Sequence, residues 1–226
     1  MAKIPIIIDC DPGVDDSFAI MLAAGSELFD LRAITPVAGN QIFEKVTKNA
    51  LDLTDALGLS ARVAKGANHP LIKPYERTAS LAHGDSGVGD LVLPKSQRDY
   101  DEKPAWDVIY EEAVKAKGEL VLFAVGPLTN VAIALMKYED LPKHIKKIVI
   151  MGGSATFGNA NPYAEFNIWI DPHAADIVFR SGIEQWLVGL NATHQGNLTI
   201  ADFDEIIDAC GDNNGAWILK ALSVFS

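Results

Sequence analysis

Apolar and polar positions along this chain fall into two alternating rhythms. Ile4–Cys10 is a continuous apolar run rich in β-branched residues, as expected of a strand covered on both faces. Asp15–Ala24 follows with helical spacing at Phe18, Met21 and Leu22, opened by acids that suit a helix N-terminus. The same reading predicts strands at Leu31–Val37, Arg62–Ala64, Glu119–Val125, Lys147–Met151 and Gln185–Leu190. Helices are expected at Ile42–Leu57, ended by Gly58, and at Trp106–Lys117, Pro127–Tyr138, Asp171–Ser181, Ile200–Cys210 and Ala216–Phe225. The stretch from Asn68 to Pro104 carries no clear period and contains His83-Gly-Asp-Ser-Gly-Val-Gly89. Long irregular segments inside compact domains are usually functional or mobile.

This succession predicts an α/β fold: a mainly parallel central sheet with helices on both faces, Rossmann-like in type. No internal repeat or linker interrupts it, so residues 1–226 are expected to form one domain. In such sheets ligands bind outside the carboxyl ends of the strands. That rule selects Asp9–Asp16, Thr35–Asn40, Ala124–Gly126, Met151–Asn167 and Leu190–Gly196, where polar residues or glycines follow apolar runs.

Composition narrows the ligand. The net charge of −11 over 226 residues argues against nucleic acid and against anionic membrane surfaces, which call for a basic face. Neutral nucleosides or bases remain open. Cys10 and Cys210 lack the spacing of a zinc site or a disulfide framework and read as small hydrophobes in a reducing compartment. No apolar run has the length of a signal peptide core or a membrane span, so the expected location is cytoplasmic.

The chemistry concentrates in Asp9-Cys-Asp-Pro-Gly-Val-Asp-Asp16, four carboxylates at the end of a buried strand. Crowded like charges raise one another's pKa values, and a hard divalent cation relieves the repulsion by taking oxygen ligands from a short loop. Pro12 and Gly13 bend the chain so that acids before and after the turn can face one site. Asp9 could instead bond to backbone, and Asp15 could reach a substrate hydroxyl. A bland reading also exists, with Asp15 and Asp16 as helix N-terminal acids and Asp9 and Asp11 as turn formers. An EF-hand fails on spacing, because Gly13 and Ile20 stand where ligands belong. A phosphatase of the haloacid dehalogenase type shares Asp-x-Asp after the first strand, but the strand ends offer Thr35-Pro-Val-Ala-Gly-Asn40 and no obvious lysine for phosphate.

The chain resembles the nucleoside hydrolase family. The resemblance rests on residues 9–16, Val37-Ala-Gly-Asn40, His83-Gly-Asp-Ser-Gly87, Gly126-Pro-Leu-Thr-Asn130, Met151-Gly-Gly153 and Gly158-Asn159. It continues through Ala164-Glu-Phe-Asn167, Asp171-Pro172 and Gly189-Leu-Asn-Ala-Thr-His194, all in family order. It implies Ca²⁺-dependent hydrolysis of the N-glycosidic bond of ribonucleosides, giving ribose and free base. By the same resemblance Asp11 and Asp16 would bind calcium with the Val125 carbonyl, and Asp11 would also be the general base. Asp15, Asn40, Asn159, Glu165 and Asn167 would hold ribose hydroxyls, and Met151 would line the pocket. His83 would lie near the base, as in the inosine-uridine preferring branch, and Asp9 would support the cluster. A homodimer or homotetramer is implied.

Two departures stand out. Asn191 occupies the place of the family's usual aspartate after Gly-Leu, and no His-Asp pair follows Asn197. In the family that aspartate completes the calcium shell and the histidine helps protonate the leaving base. This polypeptide is therefore expected to lack the family's C-terminal segment and to be weak or inactive as a hydrolase, or to bind calcium and ribose without turnover.

Overall fold

The computed structural model describes residues 2–75, 86–89, 91–210 and 218. Six strands form one sheet: β1 (Ile4–Cys10), β2 (Phe29–Pro36), β3 (Arg62–Val63), β4 (Leu120–Ala124), β5 (Ile145–Met151) and β6 (Gln185–Val188). Their order is β3-β2-β1-β4-β5-β6, and every adjacent pair is parallel. The chain lays down strands outward from β1 to β3, then crosses back and continues outward from β4. The reversal creates a switch point between β1 and β4, where the loops leaving the two strands diverge and open a crevice.

The strands alternate their side chains between two apolar layers. Ile7, Ala33, Leu122, Ala124, Ile148 and Ile150 face one layer. It is completed by α3 (Ala105–Lys115), α4 (Thr129–Lys137) and α6 (Pro172–Phe179). Ile6, Ile8, Cys10 and Ile34 face the other, against α1 (Val14–Gly25) and α2 (Phe43–Ala56). Burial on both faces explains why β1 reads as an unbroken apolar run rather than an alternating one. The expected architecture is therefore the observed one, and the sheet is wholly parallel.

Three local expectations are corrected. The strand expected to reach Leu190 ends at Val188, and Leu190–Thr193 is a short helix, α7. A Cβ at Gly189 would lie 2.7 Å from the Gly153 carbonyl oxygen, so the chain turns close against the β5 loop there. The Gly/Asn-rich loop expected between Met151 and Asp171 is interrupted by another short helix, α5 (Phe166–Ile170), which Glu165 caps. A single 3₁₀ turn at Leu141–Lys143 precedes β5, which begins at Ile145 rather than Lys147. The last helix described is α8 (Ile200–Cys210). The helix expected at Ala216–Phe225 lies outside the described residues, apart from the buried Ile218.

Among the described residues β6 is an edge strand, with Trp186, Leu187 and Val188 exposed. Among the described residues no helix is long and apolar enough to cross a membrane.

Candidate functional site

At the switch point, β1 carries Asp9 and leads directly into Asp11; Asp9, Asp11 and Asp16 are all buried. Asp16 reaches the same place from the first turn of α1. Its Oδ2 accepts the Gly13 N–H at 2.9 Å, satisfying a backbone donor that the helix itself leaves unpaired. Asp15, its neighbour, points from the helix to solvent.

The loop after β2 closes on this turn. The Asn40 backbone N–H donates to Asp11 Oδ2 at 2.6 Å. The Asn40 side-chain Nδ2 donates to the Asp11 carbonyl at 3.1 Å and to Asp16 Oδ2 at 3.3 Å. One asparagine therefore fixes the relative position of two carboxylates. Glycines let the backbone come close enough. A Cβ at Gly39 would collide with Asp11 Oδ2, and one at Gly126, just beyond β4, would stand 2.6 Å from Asp11 Oδ1.

Asp9 is held differently from the expectation that its side chain bonds to backbone. Its Oδ2 accepts the Thr35 hydroxyl at 2.6 Å and the Asn130 Nδ2 at 2.9 Å, while its buried Oδ1 meets no hydrogen-bond donor. Asn130 in turn accepts the Ala67 N–H at 2.7 Å, joining β1, β2 and the segment at Ala67 through one amide.

These surroundings disfavour charge on the acids. Burial pushes the Asp9 carboxyl up to about 7 despite the donors from Thr35 and Asn130. Burial, and then the nearby Asp15 charge, raises Asp16 to about 8. Burial and the Asp16 charge hold Asp11 well above the ordinary carboxylate range. The charge of a hard divalent cation offsets the desolvation and mutual repulsion of acids this costly to ionise. Asp11 and Asp16, which Asn40 holds together, could supply the carboxylates of a shell for such an ion. Among the described residues no three His, Cys, Asp or Glu side chains form a complete one.

The other wall comes from β4 and β5. Asn167, at the start of α5, donates through Nδ2 to the Val125 carbonyl at 2.9 Å and the Met151 carbonyl at 3.1 Å. Glu165 caps the same helix, accepting from the Asn167 N–H at 2.9 Å, and reaches the Gly153 N–H at 2.9 Å. Asn159 is exposed, and its Oδ1 takes the Phe166 N–H at 2.8 Å. Asp9, Asp11, Asp16, Asn40, Val125, Met151, Glu165 and Asn167 thus lie along the carboxyl ends of β1, β2, β4 and β5. Asp15 and Asn159 stand at the exposed margin, and His83 lies outside the described residues.

Thr35 and Asn130 fall in segments that the sequence singles out, but neither is given a role there. Asn130 had a signal, because an amide in an otherwise apolar helix is fully buried only when it has partners. Asn191, the departure from the family pattern, is engaged as well. It accepts from Ala155 N–H at 2.8 Å and donates to Thr156 Oγ1 at 2.7 Å, fastening the loop after β5 to α7.

Fold and site together define a doubly wound α/β protein with a buried acidic crevice at its switch point. The chain belongs to the inosine-uridine preferring nucleoside hydrolase family, whose model matches residues 6–226. It is 44% identical over 198 residues to the non-specific ribonucleoside hydrolase RihC of Salmonella enteritidis PT4. That match covers 88% of this chain and 64% of the relative, so the chain spans just under two thirds of that protein's length. Among solved structures it superposes on a plant nucleoside hydrolase, PpNRh1, with a TM-score of 0.92 and 36% identity, over 99% of this chain and 71% of that one. A purine-preferring ribonucleoside hydrolase from Gardnerella vaginalis gives a TM-score of 0.92 at 38% identity, over 98% of this chain and 71% of that one.

Proposed function

We propose that this chain carries the catalytic carboxylates and the ribose-binding wall of a Ca²⁺-dependent ribonucleoside hydrolase, which cleaves the N-glycosidic bond to ribose and free base. The observation that carries the reading is the pair of buried carboxylates, Asp11 and Asp16, locked together by Asn40 at the switch point.

Asp11, Asp16 and the Val125 carbonyl are the oxygens assigned to calcium, in keeping with that ion's preference for carboxylate and carbonyl ligands. When bound, calcium supplies positive charge that acidifies water and attracts the ribose diol. Asp11 then serves as general base, taking a proton from the attacking water. Cleavage of a glycosidic bond passes through an oxocarbenium-like state, and the negative wall of Asp11, Asp15 and Glu165 favours the positive charge that develops on the sugar. Asn40, Asn159 and Asn167 offer neutral amides to ribose hydroxyls, with Met151 against the sugar or base. His83 is assigned to the base side and Asp9 to support beneath Asp11. The proposed setting is a cytoplasmic homodimer or homotetramer acting in nucleoside salvage.

Chromatographic measurement of base released from inosine and uridine, with calcium and with a chelator, tests this. Calcium-dependent release supports the reading. Calcium binding without any release would make the chain a binder rather than a hydrolase, and phosphate release from a generic ester would replace the reading with a phosphatase.

A further inference from the structure

Tyr75 stands 36 residues from the turn it serves. Its hydroxyl lies 3.0 Å from the Gly39 carbonyl oxygen and 2.8 Å from the Gln41 carbonyl oxygen. Those two carbonyls flank Asn40, the residue that holds Asp11 and Asp16 together. A phenol carries one proton, so both carbonyls share a single donor in a three-centre arrangement. Such a bond draws the two peptides toward one point and fixes the turn between them.

The neighbouring aspartate turn has a separate tie. Asn49 on α2 donates through Nδ2 to the Pro12 carbonyl at 3.3 Å and to the Ser86 carbonyl at 3.0 Å. The two turns that meet on this side of the crevice are therefore held by different side chains, the aspartate turn by Asn49 and the asparagine turn by Tyr75. Asn40 is buried, and Gly39 beside it has no side chain of its own to pack. Glycine also leaves its peptide more freedom than any other residue, so a tie from outside the turn adds to its restraint.

We infer that Tyr75 is a positioning residue: by clamping the carbonyls on either side of Asn40, its hydroxyl sets the asparagine against Asp11 and Asp16 and so holds the two carboxylates in register for a divalent cation. The cation half of this inference rests on the calcium site proposed above, whereas the clamp on Asn40 does not.

Tyr75→Phe removes the hydroxyl and keeps the ring, and Tyr75→Ala removes both. Hydrogen exchange of the Asn40 amide is compared with that of Val37, whose N–H bonds the Cys10 carbonyl and not the clamped turn. In Y75F the Asn40 amide should exchange at least about five-fold faster, the worth of one ordinary hydrogen bond, with Val37 unchanged. Calorimetric titration with calcium chloride should show affinity weakened by about the same factor, while the melting temperature without metal stays close to wild type. Y75A should match Y75F in both readouts and additionally melt lower. A role confined to stability would give the reverse pattern, with a lower melting temperature and wild-type Asn40 exchange, and would overturn the inference. So would an Asn40 amide that loosens in Y75F while calcium affinity stays at the wild-type value. Neither readout requires base release, so a chain that fails to hydrolyse nucleosides sinks the hydrolase reading and leaves the clamp to be decided by exchange.

Discussion

Asn167 Nδ2 donates to the Val125 carbonyl oxygen at 2.9 Å. A residue assigned to the sugar thus holds the carbonyl assigned to the cation, and the same amide also reaches the Met151 carbonyl. The ends of β4 and β5 are tied by one side chain, whose two N–H bonds both point at backbone oxygens.

Replacing Asn167 by aspartate would set a carboxylate against those carbonyls. N167D should therefore lose about 2–3 kcal/mol of stability, more than the roughly 1–2 kcal/mol expected for N167A, which only removes the donor. Urea denaturation of the three proteins checks the order. If N167D equals N167A, the amide is not donating to both oxygens.

Asp11→Asn keeps an oxygen for the Asn40 N–H and removes a carboxylate that is costly to ionise where it stands. Without metal, D11N should melt at or above the wild-type temperature. Calcium at a hundred times its dissociation constant should stabilise the wild type by about 2.7 kcal/mol and the variant by almost nothing. Differential scanning calorimetry with and without calcium reads both effects. An undiminished calcium shift in D11N would remove Asp11 from the ligand set.

Gly126→Ala places a methyl group 2.6 Å from Asp11 Oδ1 and 3.0 Å from the Asp11 backbone nitrogen. One neighbour is backbone, and the other belongs to a carboxylate that the Asn40 N–H holds in place. G126A should cost about 1–3 kcal/mol and abolish the calcium response. Gly25→Ala is the control, since nothing lies within 4 Å of its added methyl group and it should be neutral or slightly stabilising.

Away from the site, Arg62 on β3 bonds Asp101 at 2.7 Å, Glu111 at 3.1 Å and Glu112 at 2.7 Å. The Arg62 guanidinium holds the Asp101 carboxyl below its usual range. A carboxyl lowered on folding contributes stability above its unfolded value of about 3.9, and that contribution is lost as pH falls through the folded value. R62M should be less stable than wild type by about 1–2 kcal/mol at neutral pH, and the gap should narrow below about pH 4. Urea midpoints measured across that range check it; a gap that stays constant denies the ion pair its role.

Much of this was legible along the chain because the determinants are local. Ile4–Cys10 announces a doubly covered strand by its own composition, and Asp9, Asp11 and Asp16 fall within eight residues of one another. What escaped was decided by partners distant in sequence. The Gln185–Leu190 run is apolar enough to continue as a strand, but Gly189 meets the Gly153 carbonyl and the strand stops. Glu165 and Asn167, spaced two apart, read as sharing one face of an extended segment, whereas a short helix starts between them, with Glu165 capping it and the Asn167 amide turned to the Val125 and Met151 carbonyls. Nothing near Tyr75 or Asn130 in the chain reveals which carbonyls or carboxylates they meet. Those contacts exist only once the sheet has brought separate loops together.

The bond between Asp9 and Asn130 spans 121 residues. Its consequence belongs to the order of events during synthesis. While the ribosome is still making the first half of the chain, β1, β2 and Thr35 already exist, but the amide that shares the load of Asp9 does not. The acid must wait, protonated or wet, until β4 and α4 arrive and dock beside β1. Parallel strands joined by long crossovers pay their loop-closure entropy before they gain contacts, so this docking is a late step. The cluster that the sequence displays first thus lacks one of its partners until Asn130 has been made.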